Sequence, residues 1–307
     1  MAFVNKKYSI ETPMPAFLFL MRKLGVSQGE AQKIVATGRL FVEGAKCLHS
    51  GETIAGNVEV KIFEPQPRGI APMFTTPDFA LFDKPSGTLV HPTTYRTPYS
   101  LLDDIRHNFG KDANAIHRID METSGLLLVS RNKQAEKRLK TMFEDRNVKK
   151  SYLAWVKGRV EKPFSVDESL MQNNDFSTIK LKMLVHPEGK RALTHFEPIE
   201  YDPLLHATLI KATPHTGRQH QIRVHLFHVK HPILGDPIYG VPTDIAIKYL
   251  DKKLTNEERC FYMGADRMLL HAQSLDFFDN GANYRIESRI DFEKEKIKIV
   301  PPEKRAF

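Results

Sequence analysis

One stretch carries most of the chemistry-bearing residue types in close spacing. In Ala115-Ile-His-Arg-Ile-Asp-Met-Glu-Thr-Ser-Gly-Leu-Leu-Leu-Val-Ser130, a charged and polar turn from His117 to Ser124 runs into an apolar segment, Gly125 to Val129. That segment reads as a buried strand, and polar side chains at the edge of such a strand are held in place. Asp120 lies two residues after Arg118 and just before the small Thr123-Ser124-Gly125 turn, a setting suited to a carboxylate in a cleft beside a basic ligand. An aspartate in a turn can equally cap or hydrogen-bond its own backbone, so this stretch alone leaves both roles open.

Further segments give the stretch a context. They are Asp83-Lys84-Pro85-Ser86-Gly87, Ser151-Tyr152-Leu153-Ala154, Thr216-Gly217-Arg218-Gln219-His220-Gln221-Ile222-Arg223-Val224-His225-Leu226, and His231-Pro232-Ile233-Leu234-Gly235-Asp236-Pro237-Ile238-Tyr239-Gly240, followed by Leu270-His271-Ala272. With His117-Arg118-Ile119-Asp120 and Thr123 to Leu128, their order resembles the signature of the RluA-type family of RNA pseudouridine synthases. The likeness covers most of residues 80 to 275.

Composition bounds the fold class. A chain of 307 residues accommodates one sizeable core and a small extra module. Its hydrophobic content of 41% and charged content of 27% are ordinary for a globular protein. No run of about 18 apolar residues is present, so no membrane span is expected. Cys47 and Cys260 are too few for a disulfide framework, and Met-Ala-Phe-Val-Asn-Lys-Lys lacks the apolar core of a signal peptide, so a cytoplasmic location is expected.

The formal net charge is +8, and its distribution is uneven. Residues 131 to 150 hold 8 basic and 3 acidic side chains, and residues 205 to 235 hold 4 basic, no acidic and six histidines. Such patches suit a polyanion, nucleic acid first, although a basic helix face can also be merely solvated. A metal site in the second patch is not expected: on a helix, the steps from His215 to His220 to His225 each fall about 140 degrees out of alignment, and no cysteine lies near.

Local signals place the elements. An irregular start leads to a helix over 16–24 ended by Gly25, and Ser27-Gln28-Gly29-Glu30 has the spacing of a capping box for a second helix closed by Gly38. A hairpin over 39–48 and a strand over 58–63 follow. Pro65-Gln-Pro-Arg-Gly69 reads as a linker, which places a domain boundary after residue 65. Strands are expected over 79–82, 178–184, 207–211 and 284–290. Asn132 caps a helix running to Phe143, Tyr152 stands on the opposite strand face from Leu153 and Trp155, and the tail beyond residue 290 reads as solvated surface.

The resemblance implies an α+β protein. Residues 1–65 would form a small S4-like RNA-binding module, and residues 66–307 a catalytic domain with a mixed, mainly antiparallel sheet flanked by helices. Gln28 and Glu43 stand where that module usually has arginine and asparagine, which weakens its expected hold on phosphate. The implied reaction is isomerisation of uridine in structured RNA, with Asp120 forming a covalent adduct. Arg223 would keep Asp120 ionised, and Tyr152 would pack on the target uracil, its hydroxyl a candidate for removing the C5 proton. Arg118, Lys84 and Arg218 are the expected RNA contacts, Arg118 filling the space vacated by the extruded base. Neither cofactor nor metal is required, and no obligate protein partner is expected. An S4-like module favours large-subunit ribosomal RNA over transfer RNA as the partner, by analogy. Two other classes compete: a catalytically silent RNA-binding or ribosome-assembly factor on the same fold, and a metal-dependent hydrolase using the histidine-rich segment.

Overall fold

The computed structural model describes residues 2–173, 179 and 182–306. Its chain divides into two compact units, one of residues 1–71 with 89–111, the other of residues 72–88 with 112–307. The first unit thus runs past the boundary expected after residue 65 and takes in a later segment.

The first unit contains strand β1 (Phe3–Pro15), helices α1 (Ala16–Leu24) and α2 (Gln28–Ala36), strands β2 (Leu40–Val42), β3 (Ala45–Lys46) and β4 (Thr53–Phe63), and helix α3 (Leu101–Phe109). The start is therefore not irregular. Strand β1 pairs antiparallel with β4 from Phe3 opposite Phe63 to Pro15 opposite Thr53, so a partner some fifty residues away, and not local alternation, makes it a strand. The capping box forms as expected: Ser27 Oγ accepts from the Glu30 amide at 3.3 Å, and Glu30 accepts from the Ser27 amide at 2.9 Å. This sets α2 so that Ala31, Ile34 and Val35 pack with Phe19, Leu20 and Val60. The proline-rich segment has no regular element, yet its backbone is fastened: Asp103 Oδ1 accepts from Gln66, and Asp104 Oδ1 accepts from Arg68, Gly69 and Ile70 at 2.9 to 3.0 Å. Carboxylates at the start of α3 thus satisfy amides that no secondary structure would satisfy.

The second unit contains β5 (Phe74–Thr75), β6 (Phe79–Lys84), β7 (Asn114–Ala115), β8 (Ser124–Ser130), α4 (Lys133–Glu144), β9 (Lys149–Lys157), β10 (Phe164–Asp167), β11 (Leu170–Gln172), β12 (Met183–Val185), β13 (Leu193–Asp202), β14 (Ala207–Pro214), α5 (Gln221–His228), α6 (Thr243–Leu250), α7 (Asn256–Met263), β15 (Leu270–Asp279) and β16 (Ala282–Glu287). The main sheet has the order β10-β13-β14-β9-β15-β8-β6-β5, with β16 on β15 and β7 on β8. Among the described residues only the β15–β8 pairing is parallel, giving the mixed, mainly antiparallel sheet of an α+β fold. Every residue of β8 is buried, as its unbroken apolar run requires. Of the strand expected over 178–184, residues 178, 180 and 181 lie outside the described residues, and its end coincides with β12, which runs one residue further to Val185. The tail is not simply solvated surface: Phe292 is buried and stacks on His271 with ring centres 5.1 Å apart, and Ile299 packs in the same cluster. No helix among the described residues is long and apolar enough to cross a membrane.

Candidate active site

The loop between β7 and β8 carries Asp120, and several contacts set its course. Its amide at Thr123 donates to the Asp120 carbonyl, closing a turn. The Lys84 to Gly87 turn holds it from one side: Gly87 donates its amide to Met121 O, and Ser86 Oγ donates to Glu122 O at 2.6 Å. From the other, Glu122 accepts from Arg259 at 2.6 Å and from the Tyr249 hydroxyl at 2.5 Å. At its start, His117 Nε2 accepts the Leu128 amide at 3.1 Å while the ring stacks on Phe143. Burial lowers the His117 pKa to about 3, which keeps that nitrogen an acceptor.

Lys84, an RNA contact in the reading that the resemblance implies, points into the protein and not into the cleft or solvent. It is wholly buried, and its ammonium donates to the carbonyls of Pro85, Thr88 and Met121 at 2.8 to 3.0 Å. Burial pushes its pKa down to about 7, although the nearby Asp120 and Glu122 favour the charged form. Three acceptors match the three N–H groups of an ammonium, so Lys84 pins the loop and has no donor left for phosphate.

Arg223 is presented by α5. The turn before that helix is locked by Gln221, whose Oε1 accepts from Thr216 Oγ1 and the Arg218 amide, while its Nε2 donates to Leu193 O and Thr194 Oγ1. Arg223 is buried rather than on a helix surface, with a carboxylate on each side. Its Nε and one terminal nitrogen donate to Asp236 at 2.7 and 2.9 Å, and the other terminal nitrogen donates to Asp120 Oδ2 at 2.8 Å. Asp236 also accepts the amides of Ile238 and Tyr239. Burial raises the Asp120 pKa, but Arg223, His220 and Arg118 outweigh that, and the carboxyl lies below its ordinary value. Its side chain keeps 25% exposure, enough to be reached from the cleft.

The cleft has a volume of about 540 Å³, within the range of small-ligand sites. Asp120, Arg223, Tyr152, Arg118 and Arg218 all line it. Tyr152 arrives on β9, in register with Ala212 of β14 and Ala272 of β15, and packs against the core cluster to which the Arg223 helix contributes Ile222 and Leu226. Burial, then the Asp120 charge, holds its phenol above the ordinary tyrosine value, so it is neutral at pH 7. Arg118 is exposed, and Arg218 is partly exposed with Nε on Arg191 O at 3.2 Å.

His220 also lines the cleft, with Nε2 3.9 Å from Asp120 Oδ2 and Nδ1 3.0 Å from the Tyr239 hydroxyl. Burial, then Arg223, lowers its pKa to about 4, so its imidazole is neutral. His225 and His231 go elsewhere, to Thr194 Oγ1 and Lys157 O. Among the described residues no group of three or more His, Cys, Asp or Glu is placed to hold a metal ion. Sequence reasoning assigned no role to Asp236, His220 or Glu122, although Asp236 and His220 lie in the motifs that carried the resemblance and Glu122 lies between two of its segments. Charge alternation could not single them out, because each acts through a partner distant in the chain.

Residues 78–228 match the family model described as RNA pseudouridylate synthase. An uncharacterized RNA pseudouridine synthase of Helicobacter pylori strain 26695 is 39% identical over 289 residues, which is 94% of each chain. The ribosomal large subunit pseudouridine synthase D of Escherichia coli K12 is 30% identical over 217 residues, 68% of this chain and 65% of that protein. Among solved structures, human RNA Pseudouridylate Synthase Domain Containing 1 aligns with a TM-score of 0.59 at 23% identity, covering 78% of this chain and 91% of its own. That last likeness concerns the fold. The near full-length relative carries the stronger conclusion, and with it this chain belongs to the RNA pseudouridine synthases, isomerases that act on RNA.

Proposed function

We propose that the chain converts specific uridines of large-subunit ribosomal RNA to pseudouridine, with Asp120 as nucleophile, Arg223 keeping it ionised and Tyr152 stacking on the target uracil. The observation that carries this reading is the Asp120 carboxylate, open to a basic cleft and paired at 2.8 Å with an arginine that is itself fixed by a second carboxylate. An ionised carboxylate can form a covalent adduct. The reaction breaks the N1–C1′ bond, turns the base and forms a C5–C1′ bond. C5 loses a proton and N1 gains one, so no co-reactant is consumed.

The uridine must leave its stack at a cost of a few kcal/mol, and stacking on Tyr152 offsets about 1 to 3 kcal/mol of that. Arg118, exposed and two residues from Asp120, fills the vacated space, and Arg218 at the same cleft contacts the backbone. Residues 1–65, within the first unit, are read as an S4-like RNA-binding module. The ribosomal target is supported by the similarity to the E. coli large-subunit enzyme, and transfer RNA is the alternative substrate.

The test compares RNA from cells with and without the gene, mapping pseudouridines by carbodiimide-dependent reverse-transcription stops and rescuing with wild type or Asp120→Ala. A stop lost from large-subunit RNA and restored by wild type alone is the expected result. A lost stop in transfer RNA would redirect the substrate, equal rescue by Asp120→Ala would remove the nucleophile, and no lost stop would favour a silent RNA-binding factor.

A further inference from the structure

A second depression, of about 340 Å³, adjoins the cleft in the same unit and shares Arg146, Lys150, Pro214, His215, Thr216 and Arg218 with it. Lys149 and Arg191 line it beyond the shared wall. Among the described residues that line it none is acidic, whereas the cleft itself contains Asp120 and Glu144. The fold explains why these cations meet. Strands β13, β14 and β9 are consecutive and antiparallel, so the start of β9, the end of β14 and the start of β13 share one edge of the sheet. Lys149 and Lys150 open β9, Pro214 closes β14 and Leu193 opens β13 just after Arg191.

The cations are crowded and accessible. Arg146, Lys149 and Arg191 are exposed. Burial, then the charge of Arg146, lowers the Lys150 pKa below its ordinary value, and a bound anion would relieve that repulsion. Arg191 donates to Asp167 through two hydrogen bonds, of 2.9 and 2.6 Å, but the side chains are 76% and 43% exposed, where solvent screens the pair and a phosphate can compete for the same guanidinium fork. A continuous basic groove opening from a site that accepts one nucleotide suits the backbone of the adjoining strand.

We propose that this groove is the track along which the RNA strand leaves the target nucleotide, with Arg146, Lys149 and Arg191 each on a backbone phosphate. The inference rests on the reading of the cleft as a uridine site and specifies where the rest of the strand lies. Such contacts hold register without reading sequence. Their removal therefore weakens binding of any single strand and flattens its salt dependence.

The test is the affinity of a short fluorescein-labelled oligouridylate, read by anisotropy over a range of salt concentrations. In the triple variant Arg146→Ala, Lys149→Ala, Arg191→Ala, the slope of log K against log salt is expected to shrink by about 2, at roughly 0.7 per lost single-strand phosphate contact. The charge-retaining triple Arg146→Lys, Lys149→Arg, Arg191→Lys should keep the wild-type slope, as should Lys162→Ala with Lys304→Ala, two exposed cations outside the groove. An alanine triple with the wild-type slope, a charge-retaining triple as flat as the alanine one, or a wild type that does not bind the oligonucleotide would overturn the track. Pseudouridine formation by the wild type is scored separately by the carbodiimide assay. Its failure beside the expected slope change removes the chemistry and leaves the track; a normal reaction beside an unchanged slope removes the track alone.

Discussion

Asp236 holds Arg223 through two N–H···O bonds of 2.7 and 2.9 Å, and this leaves the remaining guanidinium nitrogen directed at Asp120. The fork geometry of arginine makes the arrangement possible, since one planar group can satisfy two carboxylates at fixed angles. The Asp236 side chain is completely buried while that of Asp120 is not, so the inner carboxylate orients the arginine and the outer one faces the cleft.

The pH dependence of catalysis follows from that pairing. With Arg223 present, Asp120 lies below its ordinary value of 3.8, and the acid limb of kcat/KM is expected below about pH 4. In Arg223→Gln the burial remains and the opposing charge is gone, so the limb moves up by about 1 to 3 pH units. Arg223→Lys retains a cation, keeps the limb near its wild-type position, and lowers kcat because an ammonium cannot span both carboxylates. A limb that does not move in Arg223→Gln would mean that Asp120 is kept ionised by something else. The same depressed pKa makes Asp120 a source of stability that is present above its unfolded value and lost as pH falls through the folded one.

Tyr152 separates stacking from proton transfer. Its phenol is neutral and held above its ordinary value, so Tyr152→Phe should keep KM and activity within about tenfold of wild type. Tyr152→Ala should lose about 1 to 3 kcal/mol of base stacking, seen as a raised KM. Steady-state kinetics on the mapped RNA decide the matter: if phenylalanine is as inactive as alanine, the hydroxyl takes part in the chemistry.

Lys84 is a fastening of the loop, and its loss should read out as stability. Lys84→Met leaves the carbonyls of Pro85, Thr88 and Met121 without their donor, at a cost of about 2 to 4 kcal/mol, measurable by urea denaturation. The salt dependence of RNA binding should stay as in wild type. A flatter salt slope with normal stability would return Lys84 to the RNA-contacting residues.

Gly125 stands opposite Ala272 where strand β8 pairs with β15, with no room for a side chain. Its φ is +103°, and a Cβ there would lie 2.3 Å from the Ala272 carbonyl oxygen. Backbone cannot give way as a side-chain tip can, so Gly125→Ala should cost about 3 kcal/mol or more and move the Asp120 loop with the strand. A denaturation midpoint within error of wild type would show that the two strands can separate at no cost.

Local signals determined a good deal by themselves. Ser27 and Glu30 specify a helix start through contacts three residues apart, Asn132 does the same for α4, and the run from Gly125 to Val129 announces a fully buried strand, because these preferences depend on near neighbours and on the exclusion of apolar side chains from water. The resemblance carried by the longer motifs, and not these local signals, made Asp120, Tyr152 and Arg223 candidates for one site. Tertiary structure decided what each residue faces. Strand β1 exists through its pairing with β4, Lys84 turns inward because three carbonyls converge on it, and Arg223 is divided between Asp120, 103 positions away, and Asp236, 13 positions away. No local pattern carries those facts, since a charged side chain in a turn or helix reads the same whether its partner is water, phosphate or a buried carboxylate. The antiparallel order of β13, β14 and β9 likewise gathers Arg146, Lys149 and Arg191 along one edge, which their separation in the chain conceals.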